Sequence, residues 1–296
     1  MNAPAGPTIR ELLVDAASRL AAGAEDPHLE AQVLLAHALQ RDRAWLFAWP
    51  EHRPTTDQAA HFADLIRQRM LGRPIAYLTG VREFWSLALH VDPHTLIPRP
   101  ETEQLVEIAL ELPLPPAARV LDLGTGSGAI ALALARERPQ WRITAVDRSA
   151  AALAVARGNA QRLGLGRVEF LCSDWFDALP AQATFDLILS NPPYIAAQDP
   201  HLARGDLRFE PASALVSGPD GLDAIREIVA AAPRHLTAAG WLWLEHGAEQ
   251  AEAIAAELSR HAFREVRSTR DLAGLPRHAG ALAPLAKGQS TPGNGT

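Results

Sequence analysis

The chain is 296 residues long, 48% hydrophobic and 21% charged, which is enough apolar material for a sizeable core and argues against wholesale disorder. Its net charge of −6 lacks the electrostatic footprint of a general nucleic-acid binder. Cys172 is the only cysteine, so an intrachain disulfide and a cysteine-based zinc site are both excluded. No metal is expected.

The opening "MNAPAGPTIRELL" has no basic region followed by an apolar core, so it does not read as a secretory signal. Apolar runs such as "AIALALA" at 129–135 are too short to span a bilayer. A cytoplasmic protein without membrane contact is the expectation.

Residues 8–72 read as helical. Asp26 before Pro27 suits a helix start, and Leu29, Val33, Ala36 and Leu39 then recur at helical spacing. A further helix is expected from Thr55 or Thr56, with Phe62, Leu65, Ile66 and Met70 as its apolar positions and Gly72 as its C-terminal cap. Next comes "VREFWSLALHVDPHTLI". Phe84, Leu87, Leu89 and Val91 suggest extended strands, "DPH" suggests a turn, and a hairpin between two domains fits. A helix opening at Pro100 follows, and "LPLPPAA" marks the next boundary.

From residue 119 strands and amphipathic helices alternate. Strand "RVLDLG" leads to helix "GAIALALARER", and strand "WRITAVD" to helix "AAALAVARGNAQRLG". Strands "RVEFLC" and "FDLILS" follow, then a helix, strand "GWLWLEH", another helix and strand "FREVRSTR". This is the pattern of an α/β fold with a mostly parallel sheet covered by helices on both faces. Ligands of such sheets sit at the carboxyl ends of the strands. The register of the last strand, near His278, is left open by the sequence. The tail "KGQSTPGNGT" is expected to be disordered.

"LDLGTGSGAI" places Gly124, Thr125, Gly126, Ser127 and Gly128 between the first strand and its helix. The G-x-G-x-G spacing is neither the dinucleotide fingerprint nor a lysine-bearing phosphate loop. Asp147 ends the second strand, 19 residues after Gly128, where a carboxylate can accept hydrogen bonds from ribose hydroxyls. After the third strand, Asp174 or its neighbouring backbone could read an adenine amino group, and Trp175 could pack flat on the base. Each alone is equally a helix cap or a core residue. In order on one sheet, they fit a nucleoside without polyphosphate, as in S-adenosylmethionine.

The fourth strand ends in Asn191-Pro192-Pro193-Tyr194. The prolines cannot donate to a sheet ladder, so the strand stops there. The Asn191 carbonyl and the Pro192 carbonyl can both accept from a planar –NH2 group, an amide or an exocyclic amine, and Tyr194 can stack on it. The lone pair of such a nitrogen is delocalised and poorly nucleophilic. Fixing it in line with an activated methyl could supply much of the catalysis, since orientation effects reach roughly 7–11 kcal/mol. A rigid turn capped by Asn191 is the structural alternative.

In "REFWSLALHVDPHTLIPRPETE", "LDLGTGSGAIALALA", "AVDRSAAALAVARGNA", "SDWF", "SNPPYI" and "GDLRFEPASALVSGPDGL", the chain resembles the release factor glutamine methyltransferases, the HemK family, over about residues 8–275. The Asn-Pro-Pro-Tyr element alone is shared with adenine and other amine methyltransferases. Its combination with a helical N-terminal region and "FEPASAL" is far more specific. The resemblance implies a Rossmann-like class I methyltransferase domain preceded by a small helical bundle and a β-hairpin. It places the helical substrate-recognition domain at 1–80, the hairpin at 81–98, the methyltransferase domain at 99–285 and a tail at 286–296.

The activity implied is methyl transfer from S-adenosyl-L-methionine to the glutamine amide nitrogen in the Gly-Gly-Gln motif of class I peptide-chain release factors, leaving S-adenosyl-L-homocysteine. By motif, Gly124, Thr125, Gly126, Ser127, Gly128, Asp147 and Trp175 would bind the cofactor. Asn191, Pro192, Pro193 and Tyr194 would grip the amide, with Asn191 also beside the cofactor. Asp174, Arg99 and Glu101 are further pocket candidates; Glu210 and Pro211 shape a substrate channel or serve packing. A monomer without nucleic acid is expected. Two alternatives stay open at this point. An adenine-amine methyltransferase on DNA or RNA shares the corner, but residues 1–80 carry 8 arginines against 9 acidic residues, a poor phosphate surface. A catalytically idle partner-binding protein would not need these site residues.

Overall fold

The structure, a computed structural model, describes residues 6–285. The expected tail at 286–296 lies outside the described residues. The chain divides into two compact units. One comprises the chain through Val81 together with His201–Phe209; the other holds Arg82–Pro200 and the chain from Glu210 onward.

The smaller unit contains α1 (Ile9–Leu20), α2 (Pro27–Leu39), α3 (Arg43–Ala48), α4 (Thr56–Met70) and α5 (Ile75–Thr79). Reciprocal side-chain caps start two of them: Thr8 with Glu11 for α1, and Thr55 with Gln58 for α4. Asp26 caps α2 by accepting from the Leu29 N–H at 2.9 Å, with Pro27 at the first position. The buried side of α2 is Ala31, Leu34, Leu35, Ala36, Ala38 and Leu39. Of the expected positions, Ala36 and Leu39 are buried, whereas Leu29 is 38% exposed and Val33 half-buried, so the packing face is turned away from Leu29 and Val33. "AQVLLAHAL" is apolar nearly all the way round, and a 3.6-residue period then carries little direction. On α4, Phe62, Leu65 and Ile66 are buried as expected, whereas Met70 is exposed. Arg69 ties the unit together, pairing with Glu30 at 2.7 Å and reaching Asp206 at 3.4 Å.

The larger unit opens with a hairpin, β1 (Val81–Phe84) and β2 (Leu87–His90). Its turn is Trp85-Ser86, both at positive φ, while Asp92–Thr95 forms a second, separate turn. Two-residue hairpin turns need that backbone, which Asn-Gly normally signals, so Trp-Ser gave no warning. Glu103 accepts from the Trp85 N–H at 2.8 Å and Glu137 from its indole N–H at 3.0 Å.

Then come α6 (Glu103–Glu111), β3 (Arg119–Leu123), α7 (Ala129–Glu137), β4 (Arg142–Asp147), α8 (Ala150–Arg162), β5 (Glu169–Cys172) and β6 (Phe185–Ser190). A stretch of short 3-10 turns leads to α9 (Asp223–Ala231), β7 (Leu236–Glu245), α10 (Ala251–Arg260), β8 (Arg264–Arg270) and β9 (Pro276–Leu282). The seven-stranded sheet has the order β5-β4-β3-β6-β7-β9-β8. The first five strands are parallel; β9 runs antiparallel to both its neighbours.

Side chains alternate between the two faces, so each central strand feeds two cores. Val120, Leu187, Leu189, Trp241 and Trp243 pack with α6 and α7; Leu121, Leu123, Ile188, Leu242 and Leu244 pack with α9 and α10. Burial on both faces is why these strands read as continuous apolar runs. Each such Leu or Ile contributes about 1.5–3 kcal/mol. The open register resolves as Glu245 opposite His278 and Trp243 opposite Gly280. A Cβ at Gly280 would come within 2.1 Å of the Trp243 ring, so glycine is required there.

Candidate active site

The site lies at the carboxyl ends of β3, β4, β5 and β6, where the strand order steps from β3 to β4 on one side and to β6 on the other. At the end of β3 the chain turns through Gly124–Gly128 into α7. The Gly126 N–H donates to Asp147 Oδ2 at 2.9 Å, and the Ser149 N–H to Asp147 Oδ1 at 2.8 Å. Asp147 thus ties the loop to the start of α8. Burial raises its carboxyl above the usual carboxylate value, opposed by those two N–H donors. Gly126 sits at φ 55° with open space where a Cβ would project. At Gly128, φ 86°, a Cβ would press on Leu132 Cδ1 at 3.0 Å and Ala156 at 3.3 Å, so glycine lets α7 start close against α8.

Two buried polar residues hold this loop from behind. Asp122, inside β3, accepts from the Thr125 hydroxyl at 2.6 Å and from the Ala131 N–H at 3.3 Å. Burial pushes its carboxyl up to about 6 against those bonds. Asn159, fully buried on α8, donates to the Ser127 carbonyl at 2.8 Å and to the His90 carbonyl at 3.0 Å, and accepts from the His90 N–H at 2.7 Å. It pairs with the edge of β2 as a neighbouring strand residue would. Neither residue was singled out from sequence. A polar residue inside an otherwise apolar strand was the available signal for Asp122; Asn159 gave none.

Trp175 stands at φ 42° on the loop after β5, its ring 3.5 Å from where a Gly124 side chain would begin. Asn191 follows β6, whose Ser190 pairs with Leu123 and donates to the Leu123 carbonyl at 2.8 Å. Asn191 therefore emerges beside Gly124. Its Nδ2 donates to the Thr102 hydroxyl oxygen at 3.0 Å, leaving Oδ1 as the free acceptor. Thr102 in turn contacts Glu245 Oε2 at 2.7 Å.

These elements enclose a cavity of about 320 Å³. Gly124, Thr125, Gly126, Ser127, Asp147, Asp174, Trp175, Asn191, Pro193 and Pro211 line it, so the structure brings most of the expected residues to one place. Gly128 instead caps α7. Pro192 and Tyr194 are outside the wall; the Tyr194 hydroxyl turns inward to Glu245 Oε1 at 3.3 Å, and burial raises its pKa. Glu210 is buried, accepting from the Ile97 N–H at 3.0 Å and pairing with Arg99, so it braces the segment before α6. Thr102 and Glu245 were not singled out from sequence. They are 143 positions apart, and only the fold brings them together.

The cavity fits a nucleoside-bearing methyl donor: a glycine loop that a ligand can approach closely, a carboxylate at the second strand end, a broad aromatic ring, and a carboxamide acceptor beside them. Among the described residues no cluster of His, Cys, Asp or Glu is placed to hold a metal ion, and no helix is long and apolar enough to cross a membrane.

Comparison with known proteins agrees with this geometry. Residues 115–258 match a family model described as a methyltransferase domain, and residues 11–80 match one described as the PrmC N-terminal domain. The release factor glutamine methyltransferase of Pseudomonas aeruginosa is 54% identical over 84% of this chain and 90% of its own. That of Bordetella pertussis is 54% identical over 86% of this chain and 94% of its own. Among solved structures, the hMettl16 catalytic domain shares the fold with a TM-score of 0.56, at 17% identity over 77% of this chain and 84% of that one. Two curated relatives that match over most of their length, and a methyltransferase fold with its cavity at the expected strand ends, place the chain: it belongs to the release factor glutamine methyltransferase family.

Proposed function

We propose that this protein transfers a methyl group from S-adenosyl-L-methionine to the side-chain amide nitrogen of the glutamine in the Gly-Gly-Gln motif of class I peptide-chain release factors. The observation that carries the reading is Asn191, held at the cavity wall with its NH2 engaged by Thr102 and its carbonyl free to accept. An amide nitrogen is a weak nucleophile, and the site must fix it rather than deprotonate it beforehand.

The sulfonium supplies a methyl carbon already activated toward a nucleophile. The glycine loop, Asp147 and Trp175 would hold its nucleoside end, and burial of that end would leave the methyl facing Asn191. Asn191 Oδ1, at the cavity wall, would accept one N–H bond of the glutamine amide, and the Pro192 carbonyl, which does not line that cavity, is the second acceptor that the motif implies. Both acceptors would favour the positive charge that builds on nitrogen as its bond to the methyl carbon replaces the one to sulfur; the sulfur would leave as a neutral thioether and one amide proton would pass to solvent. Two fixed acceptors also orient the nitrogen, the effect that intramolecular reactions reward most. The helical unit and the hairpin would help hold the protein substrate.

The relatives do not favour the adenine-amine reading. The test supplies a purified class I release factor and a DNA oligonucleotide side by side with S-adenosyl-L-methionine carrying a labelled methyl. Label on the release factor and none on the oligonucleotide is the expected result. Label on the oligonucleotide alone overturns the proposal.

A further inference from the structure

Glu245 has no part in the reading above, yet it is a carboxylate buried to 1% exposure at the end of an otherwise apolar strand. The parity that turns Trp241 and Trp243 toward α6 turns Glu245 the same way, under Thr102. Its two oxygens are engaged separately, Oε2 by the Thr102 hydroxyl at 2.7 Å and Oε1 by the Tyr194 hydroxyl at 3.3 Å. Thr102, itself 4% exposed, also meets Asn191 Nδ2 at 3.0 Å.

The donors and acceptors of these groups fix the direction of the hydrogen-bond chain. An ionised carboxylate only accepts, so the single Thr102 proton goes to Glu245. The Thr102 oxygen is left as an acceptor, and only the NH2 end of Asn191 can satisfy it. Asn191 Oδ1 must therefore face the cavity. We infer that Glu245, acting through the Thr102 hydroxyl, is a positioning residue that sets which end of the Asn191 carboxamide meets the substrate amide. The inference rests on the proposed role of Asn191 as the amide grip. With a proton on Glu245, the Thr102 hydroxyl is released to donate to Asn191 Oδ1. A half-turn of the carboxamide would then set its NH2 against the NH2 of glutamine, donor against donor.

The charge on Glu245 is set by its surroundings. Burial pushes its carboxyl up to about 7; the Thr102 and Tyr194 hydroxyls oppose that, Glu101 adds to it and Arg277 counters it. Arg99 lies near Tyr194, His278 faces Glu245 across β9, and His246 is next in the chain. Burial pushes His278 down to about 4 and also lowers His246, so both rings are neutral where Glu245 titrates. The folded carboxyl is protonated below about 7, and the relay is in its working direction above that.

The experiment measures kcat on a release factor, across pH, for the wild type, Thr102→Val, Thr102→Ser, Glu245→Gln and Asn191→Ala. Cofactor affinity is titrated on each protein. Thr102→Val is expected to lower kcat by about tenfold to a hundredfold, with cofactor affinity within about twofold of wild type. Thr102→Ser, which keeps the hydroxyl, restores turnover to within about threefold. Wild-type kcat rises through about pH 7, and Glu245→Gln lowers the plateau and removes that rise. If Thr102→Val loses cofactor binding through unfolding, the pH profile of Glu245→Gln decides alone. A Thr102→Val enzyme with wild-type kcat, or a Glu245→Gln enzyme that keeps the rise, overturns the relay while an inactive Asn191→Ala leaves the grip standing. Wild-type turnover by Asn191→Ala overturns the grip and the relay with it.

Discussion

Replacing Asn159 by alanine tests whether the glycine loop is braced from the protein interior. Asn159 is fully buried and makes three bonds to backbone groups: Ser127 carbonyl at 2.8 Å, His90 carbonyl at 3.0 Å and His90 N–H at 2.7 Å. Ser127 is 3% exposed, so its carbonyl loses its partner with no water to replace it, a cost of about 1–3 kcal/mol. His90 is half-buried, and its two groups are partly rehydrated, adding about 1 kcal/mol together. The expected loss is about 3 kcal/mol, a fall in Tm of about 6–12 °C for a unit of this size. Urea unfolding followed by tryptophan fluorescence reads it, since Trp241 and Trp243 lie in the same core. Asn159→Asp serves as the control: it keeps the acceptor for the His90 N–H but sets a carboxylate against two carbonyls, and should be at least as damaging. A loss below about 1 kcal/mol for Asn159→Ala would refute the bracing argument, because a buried carbonyl cannot be left alone that cheaply.

Asp147→Ala should weaken S-adenosyl-L-methionine binding by more than about tenfold in calorimetry, from the loss of a ribose acceptor and of the bond that positions Gly126; unchanged affinity removes that assignment. Asp122 should make stability pH-dependent. Its folded carboxyl, at about 6, lies above its ordinary 3.8, so the native state binds this proton more tightly. The stability this contributes is fully present below 3.8 and is lost as pH rises through about 6. At about 1.36 kcal/mol per pH unit this amounts to up to about 3 kcal/mol. Relative to Asp122→Asn, which cannot bind that proton, wild-type stability should fall by that order between about pH 4 and about pH 7 in urea titrations. A flat difference contradicts the burial argument.

What could be read from sequence and what could not divide along physical lines. The strands of the parallel sheet were legible because both faces are buried, so "VLDL" and "LILS" are continuous apolar runs. The glycine loop, Asp147 and Asn191 were legible because they occur at strand ends in a fixed order. The packing side of α2 was not, because an almost uniformly apolar helix has no direction. Strand β9 was obscure because its residues are small: Gly280 makes room for the Trp243 ring on one face, Ala279 and Ala281 pack opposite Leu244 and Leu242 on the other, and small residues carry little strand signal. The Asn191–Thr102–Glu245–Tyr194 connection was out of reach. Its members come from the turn before α6, the loop after β6 and the end of β7, and no local pattern links them.

The central claim is that the Asn191 corner presents a glutamine amide to the methyl donor. Tandem mass spectrometry of a class I release factor, after incubation with S-adenosyl-L-methionine and either wild type or Asn191→Ala, tests it most directly. The account expects one added methyl on the glutamine nitrogen of the Gly-Gly-Gln peptide with wild type, and none with Asn191→Ala while that variant still binds the cofactor. Methylation at another residue, or an Asn191→Ala enzyme that modifies the same glutamine at the wild-type rate, would contradict it.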